Sequence, residues 1–295
     1  MSGYDTLVQR LLSGERIIID GGTGSEVERR GAPKLDNAWS GGGALNAPDI
    51  LQQIHQDYIK NGAEIIISNT FSTARNTLQD AGVEEQFEAL NRRAVEIACE
   101  ARRSMGTPDV LVAGAISYWS FVQRHPPLSV LAEGIEEQAA IMKDAGADLL
   151  MLEMMVDIDR MLVTLEAAQT SGLPVWVGLS CKPNEKGEMC LYNGAPLAVA
   201  LEALADKNVP LVNIMHTDVQ YIDACLDIVE AYWSGLVGVY AHSGVFKDGE
   251  WRFEDTISPA DFAHNCVHWA HRNVHLIGGC CGIRPDHMAA VKAAI

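Results

Sequence analysis

The run Leu149-Leu150-Met151-Leu152-Glu153-Met154-Met155 decides the fold of this chain. Polar and apolar residues do not alternate in it, so it is not a strand with one face in water. A short apolar run buried on both faces belongs to a parallel sheet covered by helices. Helical periodicity flanks it on either side, from Leu128 to Ala145 and from Asp157 to Ser171. The same unit repeats in both directions. Strands are expected at Arg16 to Asp20, Glu64 to Ser68, Val110 to Ile116, Leu149 to Glu153, Pro174 to Ser180, Val209 to Met215, Gly235 to Tyr240 and Val274 to Gly278. The remaining helical patterns run from Pro48 to Asn61, Glu84 to Ser104, Pro196 to Lys207, Val219 to Tyr232, Pro259 to Arg272 and Pro285 to Ile295. Eight strand-helix units favour a closed (β/α)8 TIM barrel over an open doubly wound sheet. The 295 residues suit one such barrel, and no linker or repeat marks a boundary, so residues 1–295 are read as a single α/β domain.

Charge and cysteine usage narrow the function. A net charge of −17 gives no basic patch for nucleic acid or an anionic membrane, which leaves a small-molecule protein as the expectation. Seven cysteines behind an opening of Met1-Ser2-Gly3-Tyr4-Asp5, which is no apolar signal, fit a reducing cytoplasm better than a disulfide framework. The apolar runs are too short to span a membrane. Oligomeric state is not legible here.

A barrel places its chemistry where strands end and loops lead into helices. The polar residues at those points are Asp20, Asn69, Thr70, Ser117, Glu153, Ser180, His216, Tyr240, His242, Cys280 and Cys281, and they should converge on one mouth. Ser117 and Ser180 are equally suited to capping the next helix. Glu153 closes a very apolar run, where a carboxylate needs a partner to offset its desolvation; a substrate ammonium group would provide it. The sharpest signal is Gly278-Gly279-Cys280-Cys281-Gly282, running on to Pro285-Asp286-His287. Adjacent cysteines seldom bond to each other, because the disulfide geometry is strained. Both thiolates can reach one ion where glycines let the chain bend out of the strand. Zinc suits thiolate donors, and catalytic zinc sites hold three protein ligands with a fourth position open. The alternative is a pair of buried free cysteines packed as small apolar residues.

The double-cysteine motif resembles the zinc signature of the homocysteine S-methyltransferase family. Three further stretches agree with it in order: Asp20-Gly21-Gly22-Thr23-Gly24-Ser25-Glu26 through Gly31; Ala38-Trp39-Ser40 with His55, Tyr58 and Gly62-Ala63-Glu64 through Asn69-Thr70-Phe71; and Gly146-Ala147-Asp148 through Glu153. The resemblance implies a zinc held by three cysteines, one of them at the end of strand six. This chain departs there, reading Asn213-Ile214-Met215-His216-Thr217, with His216 at the cysteine's place and Met215 where an asparagine would stand. Histidine is a competent ligand, so a site of His216, Cys280 and Cys281 is expected, with Cys181 and Cys225 as rival third ligands. One imidazole in place of one thiolate takes the metal site from a charge of −1 to neutral, which should hold a substrate thiol more firmly as thiolate and make it a weaker nucleophile. An activated onium methyl donor is therefore expected rather than a neutral ether or ester.

What the resemblance implies for mechanism is a direct displacement, with homocysteine's thiol on the metal and methionine as product, the activity of a methionine-forming S-methyltransferase. Homocysteine's amino group would meet Glu153, with Asp20 nearby; its carboxylate would lie on backbone N–H groups of Gly21, Gly22 and Thr23, with Asn69 and Thr70 completing the pocket. Trp39 matches a family aromatic facing the donor, and Tyr118 and Trp119 are candidates to extend an aromatic cage around an onium methyl. S-methylmethionine, S-adenosylmethionine and betaine-like compounds are the donor classes. Met154 stands where betaine-using members carry tyrosine, which weakens the case for betaine itself. Three alternatives remain open: a selenol or another small thiol as acceptor, a non-catalytic thiol-binding protein, and a zinc hydrolase on the same barrel.

Overall fold

Short apolar segments rich in isoleucine, valine and leucine alternate with amphipathic helices along the whole chain, and in the computed structural model, which describes residues 3–247, 250–253 and 257–295, they close into one barrel. Its strands are β1 (Ile17–Ile18), β2 (Ile65–Ile67), β3 (Leu111–Ile116), β4 (Leu149–Met155), β5 (Val175–Leu179), β6 (Leu211–Asp218), β7 (Leu236–His242) and β8 (Leu276–Gly279). Every neighbouring pair in the order β1-β8-β7-β6-β5-β4-β3-β2 is parallel. A parallel bridge between Ile19 and Ile65 closes the ring, supported by Glu64 N–H donating to the Ile18 carbonyl at 2.7 Å.

All eight strands and their helices fall where the periodicity expects them. Helix Leu128–Ala145 matches its expected limits, and it stops because Gly146 turns left-handed at φ 105°. Proline opens helices Pro48–Lys60, Pro259–His271 and Pro285–Ala294, where its missing N–H would have had no helical partner. Among the described residues four further helices lie outside the expected set: Gly3–Leu12, Thr23–Arg29, Gly43–Asn46 and Arg75–Asp80. The last three are four to seven residues long, too short to show periodicity. Gly3–Leu12 buries Leu7 and Leu11, and its Tyr4 hydroxyl accepts the Trp176 indole N–H at 3.0 Å from the start of β5. Two short hairpins, Cys181–Pro183 with Met189–Leu191 and Val245–Lys247 with Glu250–Arg252, decorate the loops after β5 and β7.

β4 and β6 run past their expected ends because each carries an extra residue. The register slips between Leu152 and Met155 against β5, and between Met215 and Asp218 against β7. Met154 and His216 sit in the slips with positive φ, 56° and 41°. Bulges of this kind re-aim side chains at the rims of barrels. Among the described residues no helix is long and apolar enough to cross a membrane.

Candidate metal centre and substrate cleft

The chain leaves β8 at Gly279 and turns at once. Cys280 N–H donates to the Ala241 carbonyl at 2.8 Å and Ser243 N–H to the Cys281 carbonyl at 3.1 Å, which pins the turn to the end of β7. Gly282 follows at φ 83°, and a Cβ there would lie 2.1 Å from the Ser243 carbonyl oxygen, so only glycine fits. The two cysteine sulfurs come to 3.9 Å from each other, and the His216 Nδ1 lies 3.5 Å from the Cys280 sulfur. The ligand atoms of His216, Cys280 and Cys281 all lie within 4.8 Å of one another, and among the described residues they are the one such group able to hold a metal ion. Cys181 is buried and stands outside this group, and the neighbouring Cys225 and burial push its thiol pKa up.

The Cys280 thiol points at the Cys281 sulfur across the 3.9 Å between them. A hydrogen bond from the Cys280 thiol holds the Cys281 thiol well below its ordinary range, with the His216 imidazole helping and burial opposing; Cys280, the donor, is pushed up by that bond and by burial. Removing the second proton would place two negative sulfurs side by side, which a bound cation compensates. Two thiols and one imidazole, with no carboxylate in the group, fit the donor preference of zinc and leave room for a fourth ligand.

The bulge in β6 is what carries His216 to the sulfurs. Its carbonyl accepts the Tyr192 hydroxyl at 2.8 Å. His242 is buried with its ring centroid 4.5 Å from that of His216, and burial, then the neighbouring imidazole, lowers its pKa to about 3, so it is neutral at physiological pH. Thr217 braces the next residue, accepting the Cys181 N–H at 2.9 Å and donating to the Met215 carbonyl at 3.0 Å.

A cavity of about 390 Å³ opens beside this centre. Glu153, 8 % exposed, reaches it from the bulge in β4. Burial, and after it the negative Cys281 sulfur, pushes the Glu153 carboxyl up to about 8, while the Tyr240 hydroxyl pulls it back. A carboxyl so placed gains from an ammonium partner. Gly21, Gly22, Thr23, Trp39 and Asn69 also line the cavity. Asn69 is held by Ser40, its amide donating to the Ser40 carbonyl at 2.8 Å. Gly22 has no room for a side chain, since a Cβ would sit 2.7 Å from the Cys280 carbonyl oxygen.

Three expected binding residues, Asp20, Thr70 and Tyr118, lie outside the lining, and so do Ser117, Ser180 and His242. Asp20 is fully buried behind it, its carboxylate accepting the Ile67 N–H at 2.7 Å, and burial raises its pKa well above the usual range. The Thr70 hydroxyl donates to the Ala115 carbonyl at 2.8 Å. Tyr118 is buried, and its hydroxyl accepts N–H groups of Val156 at 2.8 Å and Asp157 at 2.9 Å, bracing the end of β4. Trp119, one residue on, lines the cavity, as do Phe71, Phe121 and Phe253, which together with Trp39 give it an aromatic wall. Glu28, Lys34, Phe121 and Phe253 join the lining with no motif in the sequence to mark them. The Glu28 carboxylate accepts the Trp39 indole N–H at 2.7 Å and pairs with Lys34 at 2.5 Å. The spacing of Glu28 and Lys34 to Trp39 carries no recognisable pattern, and the helix that presents Glu28 is one of the short ones without a periodic signal.

Comparison with known proteins agrees over the whole length. A sequence profile of the family described as homocysteine S-methyltransferase matches residues 17–295. Homocysteine S-methyltransferase 2 of Zea mays is 27% identical, over 96% of this chain and 91% of its own length. The selenocysteine methyltransferase of Astragalus bisulcatus is 26% identical, over 95% and 92%. Among solved structures, the oxidized form of the homocysteine methyltransferase MmuM from Escherichia coli superposes with a TM-score of 0.82 at 25% identity, covering 98% of this chain and 99% of that one. The metallated form of the same protein gives 0.79 at 23%.

Proposed function

The chain belongs to the homocysteine S-methyltransferase family, and on that premise we propose that residues 1–295 form one barrel domain that moves a methyl group from an onium donor to the sulfur of homocysteine, giving methionine, with zinc held by His216, Cys280 and Cys281. The observation that carries the zinc and the donor class is the meeting of two thiols and an imidazole with a buried carboxylate and an aromatic wall around one cavity. Bound zinc would supply the Lewis acidity that keeps an acceptor thiol as thiolate near neutral pH.

The chain's own groups do the rest. Glu153 binds the acceptor's ammonium group, which sets the orientation of its sulfur. Gly21, Gly22 and Thr23 carry backbone toward the acceptor's carboxylate, with Asn69 at the edge. Trp39 faces the donor, and aromatic faces hold a cationic methyl group more strongly than a neutral one. Met154 and Met215 line the cavity floor with thioether rather than water-binding groups. As the acceptor sulfur bonds to the methyl carbon, the carbon–heteroatom bond of the donor breaks, its electron pair stays on the heteroatom, and the donor leaves neutral. The transfer thus removes the charge that the aromatic wall recognises, which favours exchange of product for fresh donor. Asp20, Thr70 and Tyr118 support this pocket from behind by fixing the ends of β2 and β4. Seven free thiols and a strongly acidic surface support a reducing, cytoplasmic setting and small-molecule partners rather than nucleic acid.

A panel of methyl donors against homocysteine, with metal analysis of the purified protein, tests this reading. Zinc in stoichiometric amount and methionine formed from a sulfonium or quaternary ammonium donor are expected. His216→Ala and Cys280→Ala should each lose most of the metal and the turnover with it. Turnover only with a neutral donor would overturn the donor assignment, and protein that takes up no zinc would overturn the metal. Selenocysteine belongs in the same panel as a second acceptor, because a selenocysteine methyltransferase is among the relatives that match nearly the whole chain.

A further inference from the structure

A histidine is an awkward replacement for cysteine at the end of β6. Its ring reaches further from the backbone than a thiol does, so the same backbone path would not bring the donor atom to the same place. In this chain the path is changed: two residues of β6, His216 and Thr217, oppose the single residue Ala241 of β7. His216 takes a φ of 41°, a region that side-chain-bearing residues adopt only when their surroundings hold them there. The surroundings here are specific. Tyr192, from the turn after the hairpin strand Met189–Leu191, gives its hydroxyl to the His216 carbonyl at 2.8 Å. The turn that presents Tyr192 is closed by Leu191 N–H donating to the Ala195 carbonyl at 2.8 Å, with Gly194 at φ 98°. From the opposite neighbour in the sheet, the buried His242 imidazole packs against the His216 ring. The rings of Tyr192 and His242 lie 6.3 and 4.5 Å from the His216 ring, tilted by 57° and 42°, and limit its rotation.

We infer that Tyr192, through its hydroxyl on the His216 carbonyl, and His242, through its ring packed on the imidazole, are positioning residues that hold His216 in the bulge of β6 and thereby aim the imidazole at Cys280 and Cys281. His242 is then the companion of His216, the residue that stands in the place of the expected cysteine at the end of β6. The inference rests on the zinc reading above and concerns how one ligand is held.

Zinc affinity, measured by competition with a chromophoric chelator, reads this directly, together with the absorption bands of the protein loaded with Co²⁺ and the melting temperature of the metal-free protein. Tyr192→Phe, which removes one hydroxyl, and His242→Ala should each weaken zinc binding by about 10- to 100-fold, the usual effect of losing a group that orients a ligand. Both should shift the Co²⁺ bands, since the coordination geometry changes, while the metal-free melting temperature moves little. His242→Phe, which keeps a flat ring to pack on the imidazole, should recover most of the affinity. Zinc affinities of Tyr192→Phe and His242→Ala within about twofold of the parent protein, below the effect expected of an orienting group, would overturn the inference. So would losses that follow only the fall in melting temperature. A parent protein that binds neither Zn²⁺ nor Co²⁺ would instead overturn the zinc reading beneath it.

Discussion

His55 lies in helix Pro48–Lys60, fully buried, and neither ring nitrogen has a hydrogen-bond partner. Burial alone lowers its pKa to about 4 from an ordinary 6.5. The unfolded chain therefore binds a proton at His55 between pH 6.5 and 4 that the folded chain refuses, and stability falls as pH falls through that window. At pH 4.5 the loss amounts to roughly 2 to 3 kcal/mol relative to pH 7, because each pH step of one inside the window is worth about 1.36 kcal/mol. His55→Leu should abolish that part of the acid sensitivity. Urea unfolding of both proteins at pH 7 and pH 4.5 checks it: equal losses in the two would show that His55 is not protonated on unfolding. The same residue illustrates what a sequence motif conceals, since His55 belongs to a stretch that resembles the family yet lies away from the cavity lining.

Strand ends, more than strands, carry the site. Both bulges, at Met154 and His216, occur where the apolar run gives out, and each brings a polar side chain, Glu153 or His216, into the cavity lining. The turn after β8 works differently, by glycine. Gly282→Ala would place a methyl group 2.1 Å from the Ser243 carbonyl oxygen at a φ of 83°. The backbone strain alone is worth about 1 kcal/mol, and relieving the clash must move either Cys281 or the end of β7, for a total of about 2 kcal/mol or more. The expected result is a lower urea midpoint with depleted zinc in the purified protein. A variant with parental zinc content and stability would show that the turn has slack that its contacts conceal.

The molecule as a whole carries a net charge of −17. Arginine pairs such as Arg272 with Asp223, Asp227 and Glu230 are mostly on the surface, where each contributes little. Repulsion among the excess carboxylates acts over the whole surface and is screened by salt, with a Debye length of about 10 Å at 0.1 M. Repulsion should therefore win over the pairs: the melting temperature should rise by a few degrees between low salt and about 0.3 M potassium chloride, within the range that a change of about 1 kcal/mol produces. A falling melting temperature over that interval would mean that the ion pairs dominate.

The barrel itself was legible before any coordinates, because eight doubly buried strands must each be written as a continuous apolar run, and helices that cover them must repeat every three to four residues. The vicinal cysteines, Glu153 at the end of its apolar run and His216 in the place of a cysteine were legible for a related reason: chemistry at a strand end interrupts a pattern, and an interruption is visible. Walls are different. Glu28, Lys34, Phe121 and Phe253 come to the cavity from a short helix and long loops that no period announces, and Tyr118 and Trp119 are adjacent in sequence yet only the second faces the cavity. Which side of a loop a residue faces depends on contacts made by chain far away, here the Val156 and Asp157 N–H groups that claim the Tyr118 hydroxyl. The bulge that turns His216 toward the sulfurs is of the same kind, for Tyr192, from a turn, bonds its backbone and His242, from another strand, packs on its ring, groups that meet only after the ring has closed.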